Sequence, residues 1–409
     1  MLLLSVKYYF EIGGLVMKKI KIGLIWRIVI AIALAVLLGS IVPEGFVRFF
    51  ATFNGLFSGF LDFVVPLIII AFIAPGIAKL GQGSGKMLGL ATVTAYASTL
   101  FAGFFAFFVG SSILPSLLRG KELNNLEDPG EFLAKAFFTL ELPPPMAIMT
   151  ALVLAFVLGI GMASIGSRTM LSLFEEFNSI IEKVITYIII PLLPFHIFGI
   201  FLNMTFGGQV AKVLSVFAVV FILILILHFT MLLLQYTVAG SLSKKNPITL
   251  LKTMMPAYFT ALGTQSSAAT IPVTLRQARK TGASARVTDF AVPLFATIHL
   301  SGSTITIVTC AIGVMLLNGQ AIVFATFLPF IFMLGIMMIA APGVPGGAVY
   351  TAIGLLATML HFDPTMVALM IALYMAQDSF GTATNVTGDG ALAVIVDKFT
   401  GEDDSVPTK

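Results

Sequence analysis

In a chain of 409 residues, 58% hydrophobic and only 10% charged with a mean hydropathy of +1.04, the charged share lies far below the roughly 25% of a soluble domain, so an integral membrane protein is expected. A single cysteine, Cys310, and four scattered histidines exclude a disulfide framework and a zinc cluster. The net charge of +4 comes from lysines and arginines that flank apolar runs without forming a nucleic-acid motif, so no nucleic-acid partner is implied.

From the N-terminus, no small-residue cleavage site precedes Met17-Lys18-Lys19-Ile20-Lys21. A cleaved signal peptide is therefore not expected; Met17 is the expected start, with residues 1–21 a cytoplasmic segment. Crossing a hydrocarbon core of about 30 Å takes about 20 helical residues. Apolar runs of that order occupy residues 22–42, 47–77 and 87–118 and, after a polar break at 119–131, residues 146–165, 179–204, 213–239, 287–317 and 364–396. Eight transmembrane helices are expected. Trp26 beside Arg27 suits an interfacial anchor. Gly81-Gln82-Gly83-Ser84-Gly85-Lys86 mimics a phosphate-binding loop, but Leu80 replaces its first glycine and Met87 its hydroxyl residue, so a cytoplasmic turn is expected. Asp62 has no companions at helical spacing and receives no role, and His196, His228 and His361 stand isolated, as structural histidines do.

Two further apolar stretches do not suit a span. Residues 248–280 are interrupted by Gly263-Thr264-Gln265-Ser266-Ser267-Ala268-Ala269-Thr270-Ile271-Pro272, and residues 321–361 by Ala341-Pro342-Gly343-Val344-Pro345-Gly346-Gly347-Ala348. Each half is too short to cross. Backbone released at membrane depth persists only inside protein or beside a wet cavity, and paired interruptions in corresponding parts of a chain mark inverted-repeat transporters. Two re-entrant helical hairpins are expected, each followed by a full span; the alternative is a loop between two short spans.

The 23 lysines and arginines weigh against that alternative. With both termini cytoplasmic, only Arg48, Arg119, Lys121, Lys135 and Lys212 fall outside. Lys7 and Lys183 are left unassigned, and the rest fall inside, as the positive-inside rule requires. Lys244, Lys245 and Lys252 flank one end of the first hairpin and Arg276, Arg279, Lys280 and Arg286 the other, so it enters and leaves on the cytoplasmic face.

The last apolar run carries Gln377-Asp378-Ser379-Phe380-Gly381-Thr382-Ala383-Thr384-Asn385-Val386-Thr387-Gly388-Asp389. At about 100° per residue, Asp378, Thr382, Asn385 and Asp389 share an arc of roughly 60°, one polar stripe on a helix. An intramembrane aspartate costs on the order of 3 kcal/mol on insertion scales. No lysine or arginine lies nearby in the sequence to offset it, so a bound cation or a solute ammonium is the natural counter-charge. The run Ala296-Thr297-Ile298-His299-Leu300-Ser301-Gly302-Ser303-Thr304-Ile305-Thr306 in the preceding span suits either a helix-packing face or an unwound site.

At these motifs the chain resembles the dicarboxylate/amino acid:cation symporter family, with its glutamate-transporter-like fold. The resemblance runs from Met17 onward and is most specific at residues 264–272, 296–306, 343–348 and 377–389. The Gln-Asp-Ser-x-x-Thr-Ala-x-Asn pattern from Gln377 to Asn385 is similar to the sodium/serine-threonine branch. The resemblance implies that Asp378 pairs with a substrate ammonium and that Asn385 binds its α-carboxylate. Thr382 and Ser303 would lie alongside, with Ser266 and Ser267 contributing from the first hairpin tip. Residues 343–347, including Gly346, would form the second tip and the extracellular gate. A sodium ion would take the side chain of Asp389 and the carbonyls of Phe295, His299 and Asn385, while Tyr96 and Thr99 match contributors to a further sodium site. The resemblance also implies a homotrimer in the cell membrane, with a transport domain moving against a scaffold.

Departures from the family pattern narrow the substrate. Gly381 stands where members that carry acidic solutes have an arginine, and Gln265 replaces the usual arginine of the first hairpin. Burying a second carboxylate without such a partner costs several kcal/mol. Ser301 and His299 replace an aspartate and an asparagine of the family's further sodium site. The expectation is a sodium-coupled symporter of a small neutral amino acid such as serine or threonine, not an enzyme. Residues 22–240 would be scaffold and supporting helices, 241–398 the transport core and 399–409 a cytoplasmic tail. The alternative is a cation- or proton-coupled carrier of dicarboxylates, acidic amino acids or cystine. A channel would need a continuous polar pore, whereas the polar groups cluster at one depth, and a hydrolase would need a base beside Ser266 or Ser267.

Overall fold

The computed structural model describes residues 24–82, 86–118, 134–140, 142–208, 210–339, 341 and 345–400. Met17 and the N-terminal segment, the polar break at 119–131, the middle of the glycine-rich turn near Gly81, Pro342-Gly343-Val344 of the second hairpin and the tail beyond Thr400 lie outside them. The described residues form helices and no strand: α1 (Leu24–Leu38), α2 (Glu44–Gln82), α3 (Lys86–Leu118), α4 (Ile148–Ile165), α5 (Arg168–Val184), a π-helical turn (Ile185–Ile189), α6 (Ile190–Phe206) and α7 (Val210–Ser243). Then follow α8 (Pro247–Thr264), α9 (Ser267–Lys280), α10 (Ala285–Ile298), α11 (Ser301–Leu317), α12 (Phe324–Ile339), α13 (Gly347–Met359), α14 (Pro364–Met375) and α15 (Asp378–Thr400).

Five of the described helices are long and apolar enough to cross a bilayer: Glu44–Lys79, Met87–Leu118, Arg168–Phe206, Val213–Ser243 and Ala285–Leu317. The pair α14 and α15 makes a sixth if its 59° bend is taken within one span. Helices α1, α4, α12 and α13 contribute shorter apolar segments. Large side chains such as Leu37, Val93 and Val157 stay exposed on α1, α3 and α4, as lipid-facing positions do in a protein whose polar atoms are turned inward.

Three departures from the expected spans have local causes. The span expected to begin at residue 179 is preceded by the amphipathic α5, whose N-terminus is capped by Ser167, the hydroxyl accepting from Met170 N at 3.3 Å. Lys79 at the end of α2 reaches Glu175 of α5 at 2.9 Å, which ties the two helices at one level. The span at 287–317 is broken: His299 and Leu300 are non-helical, with φ and ψ of −112° and 99° at His299. The last run is likewise two helices, α15 starting afresh at Asp378. Gln377 turns its side chain back to the Leu373 carbonyl at 3.1 Å.

Both interrupted stretches form helix pairs. Helices α8 and α9 pack on each other around Gln265, which takes a left-handed φ of 53°, and Ser266. Helices α12 and α13 likewise pack together. At about 1.5 Å per residue, α9, α12 and α13 fall short of a 30 Å core. Helix α15 lies at the centre, packed by α3, α7, α8, α9, α10 and α11, and its polar stripe is buried throughout.

Candidate functional site

Four helices begin at one point. The first residues of α9, α11, α13 and α15 meet around a cavity lined by Ser267, Ser303, Ala348, Tyr374, Asp378, Thr382 and Asn385, with Gln265, Ala296, Leu300 and Ala341 completing the wall. Helix N-termini carry exposed N–H groups and a partial positive charge, which favours an anionic group. The cavity measures about 20 Å³, room for a water rather than an amino acid.

Asp378, the first residue of α15, is buried, and its Oδ2 accepts from Gly346 N at 2.8 Å. Gly346 caps α13 with φ of +76°, and a Cβ there would meet Met375 Sδ and Tyr350 at 2.7 Å, so only glycine suits this tip. Tyr374 lines the same cavity wall as Asp378 and Ser303. Asp378 is the one charged side chain lining this cavity among the described residues.

Asn385 has a role that its spacing did not reveal. Its Oδ1 accepts from Gly302 N at 2.7 Å and Ser303 N at 3.3 Å, and its Nδ2 donates to Ser303 Oγ at 3.0 Å. It thus caps α11, whose own N-cap residue, Leu300, offers no side-chain acceptor. Helices α11 and α15 cross there closely: a Cβ on Gly302 would press on the Gly381 carbonyl and come within 2.7 Å of Thr384 Cβ. From α7, His228 Nε2 lies 3.0 Å from the Gly302 carbonyl. Gly302→Val is expected to force the two helices apart, at about 1–3 kcal/mol. The check is a lowered melting temperature in detergent together with reduced solute uptake.

Of the hairpin serines, Ser267 faces the cavity, whereas Ser266 caps α9, its hydroxyl accepting from Ala269 N at 3.3 Å. Thr382 lies on the cavity wall beside Asp378.

The break between α10 and α11 leaves the carbonyls of residues 296–299 without an amide above them in the helical ladder. The Phe295 carbonyl still accepts from His299 N at 2.9 Å. Asp389, fully buried, has a partner that the lysine and arginine pattern could not disclose: His299 Nδ1 lies 2.9 Å from its Oδ1. For this acid the polypeptide itself supplies a donor, correcting the expectation that the counterpart must come wholly from solute or ion. Its Oδ2 is buried without a hydrogen-bond partner. A buried carboxylate oxygen left open is a ligand suited to a hard cation such as sodium.

Tyr96 and Thr99 do not join this group in the same way. The Tyr96 hydroxyl donates to the Phe332 carbonyl on α12 at 3.3 Å, and Thr99 Oγ1 is buried without a partner. Ser98, between them in sequence, is the residue that reaches His299, 3.1 Å from Nε2. Asp62 lines a separate cavity of about 720 Å³ between α2, α6 and α14, together with Asn54, Lys135 and His196.

Tyr374 and Gln235 were missed at the sequence level, though both left a trace. Tyr374 stands four residues before Asp378, and Gln235 stands seven residues after His228 in an apolar run, two turns along one helix face.

A model of the sodium:dicarboxylate symporter family matches residues 24–399. Among similar proteins, the serine/threonine transporter SstT of Acinetobacter baumannii (strain AYE) is 26% identical over 394 residues, covering 92% of this chain and 97% of that protein. The protein of the same name from Streptococcus suis (strain 05ZYH33) is 28% identical over 340 residues, covering 80% and 93%. That from Acinetobacter baylyi is 26% identical over 395 residues, covering 93% and 98%.

Proposed function

Because the chain belongs to the sodium:dicarboxylate symporter family, we propose that it imports a small neutral amino acid, serine or threonine in kind, together with sodium. It is a transporter and not an enzyme. The observation that carries the substrate class is the charge of the cavity: Asp378 lines it, and no lysine or arginine among the described residues does. A solute bearing an ammonium compensates Asp378, and its α-carboxylate meets the N-terminus of α9 and the remaining amide hydrogen of Asn385 Nδ2. A second carboxylate would be buried without a partner.

Sodium binds at Asp389 Oδ2 with released carbonyls around His299 and that of Asn385, supplying positive charge at a buried acid. Asp378 orients the ammonium and, through Gly346 N, holds the second hairpin tip; Ser267 and Thr382 contact the polar end of the solute. Loss or gain of solute at Asp378 thereby bears on the Gly346 contact, which makes this tip the outer gate. The broader architecture proposed is eight crossings and two re-entrant hairpins, with both termini cytoplasmic. Residues 241–398 form the transport core, carried by an elevator motion against a scaffold of residues 22–240 in a homotrimer in the cell membrane.

In proteoliposomes, labelled serine is expected to accumulate only with an inward sodium gradient. Excess threonine should compete, while glutamate, aspartate and cystine should not. Accumulation that persists when choline replaces sodium would remove sodium coupling, and competition by glutamate would remove the neutral-substrate assignment.

A further inference from the structure

We propose that Gln235 of α7 is a positioning residue for cation binding, acting through His299. The inference rests on the assignment of Asp389 as the sodium carboxylate and goes beyond it, since neither Gln235 nor the His299 side chain touches the cation in that assignment. Gln235 Nε2 lies 3.0 Å from Ser98 Oγ, 3.3 Å from Ser301 Oγ and 3.4 Å from His299 Nε2. An amide nitrogen only donates. Ser98 Oγ therefore accepts from Gln235 and has its own hydrogen left for His299 Nε2, 3.1 Å away. With Nε2 accepting, the ring hydrogen sits on Nδ1 and is donated to Asp389 Oδ1 at 2.9 Å.

The chain of donors runs one way, from Gln235 through Ser98 and His299 to Asp389. It fixes one carboxylate oxygen and leaves the other, Oδ2, free of protein partners. Space for it is supplied by Gly388, where a Cβ would lie 2.7 Å from Gln235 Oε1 and 3.0 Å from His299 Cε1. Without Gln235, Ser98 can turn its hydroxyl elsewhere, the Nε2 end of the histidine ring loses its anchor and Asp389 the fixed donor that orients it. Outer partners that orient a ligand through histidine typically change metal affinity by about 10–100-fold.

The test compares wild type with Gln235→Met, His299→Asn and the double variant. Two readouts are used: sodium titration of the melting temperature in detergent, and sodium and serine half-saturation of uptake in proteoliposomes. Asparagine at 299 can still donate to Asp389 but no longer reaches Ser98. Gln235→Met is expected to raise the sodium half-saturation about tenfold, with maximal rate and serine half-saturation at saturating sodium changed less than about twofold. In the His299→Asn background the same change should add little, because its route is already cut. An unchanged sodium titration in Gln235→Met, a loss confined to maximal rate, or effects that simply add in the double variant would each overturn the relay. Gln235→Asn, which shortens the arm but keeps an amide, replaces the methionine variant should that fail to fold. A wild-type protein indifferent to sodium would instead remove the assignment of Asp389, and the relay with it.

Discussion

Replacing Asp378 by alanine is expected to abolish sodium-driven serine uptake and to weaken serine binding at least about a hundredfold. Removing one member of a buried charge pair costs about 3–5 kcal/mol, and each 1.4 kcal/mol is about tenfold in affinity. Two contacts are lost together, the charge facing the solute ammonium and the acceptor of Gly346 N. Asp378→Asn separates them, because its amide oxygen still accepts from Gly346 while the charge is gone. The heat of serine binding, measured at saturating sodium, should vanish in both variants, whereas the loss of the Gly346 contact belongs to the alanine variant alone. Serine binding at wild-type strength in Asp378→Asn would show that the carboxylate does not hold the ammonium.

Asp389→Asn is expected to raise the sodium concentration needed for half-maximal uptake about a hundredfold or more, with serine still bound once sodium saturates. The carboxylate is fully buried, and one of its oxygens has no partner. A cation bound there at a hundred times its dissociation constant stabilises the folded protein by about 2.7 kcal/mol. Sodium should therefore raise the melting temperature of the wild type and leave that of the variant unmoved. Without sodium the sign reverses: a neutral amide at this depth avoids the desolvation of a charge, so the variant should melt no lower than the wild type. A variant whose melting temperature still climbs with sodium as the wild type does would rule out Asp389 as the cation carboxylate.

Much of this site is legible before any coordinates. The helical spacing of Asp378, Thr382, Asn385 and Asp389 put all four on one face, and all four are buried on α15. Ser266 and Gly346 stand at breaks that glycine, proline and hydroxyl content marked. The bend at Ala376 and Gln377 was not legible, because the run from 364 to 396 is apolar on both sides and only the back-bonding of Gln377 discloses the new start. Nor was the amphipathic α5, whose charged face reads as loop unless Ser167 is recognised as its cap.

Composition and periodicity by themselves determined that this chain lies in lipid, that two of its apolar stretches are interrupted and which face of its last helix is polar, since transfer free energy and helical pitch are properties of local sequence. Only the tertiary structure decided who satisfies whom. Asn385 caps a helix 83 positions away, Gly346 donates to Asp378 across 32, and His299 reaches Asp389 across 90. A hydrogen bond acts over about 3 Å whatever the separation along the chain, so such pairings exist only once the helices are packed.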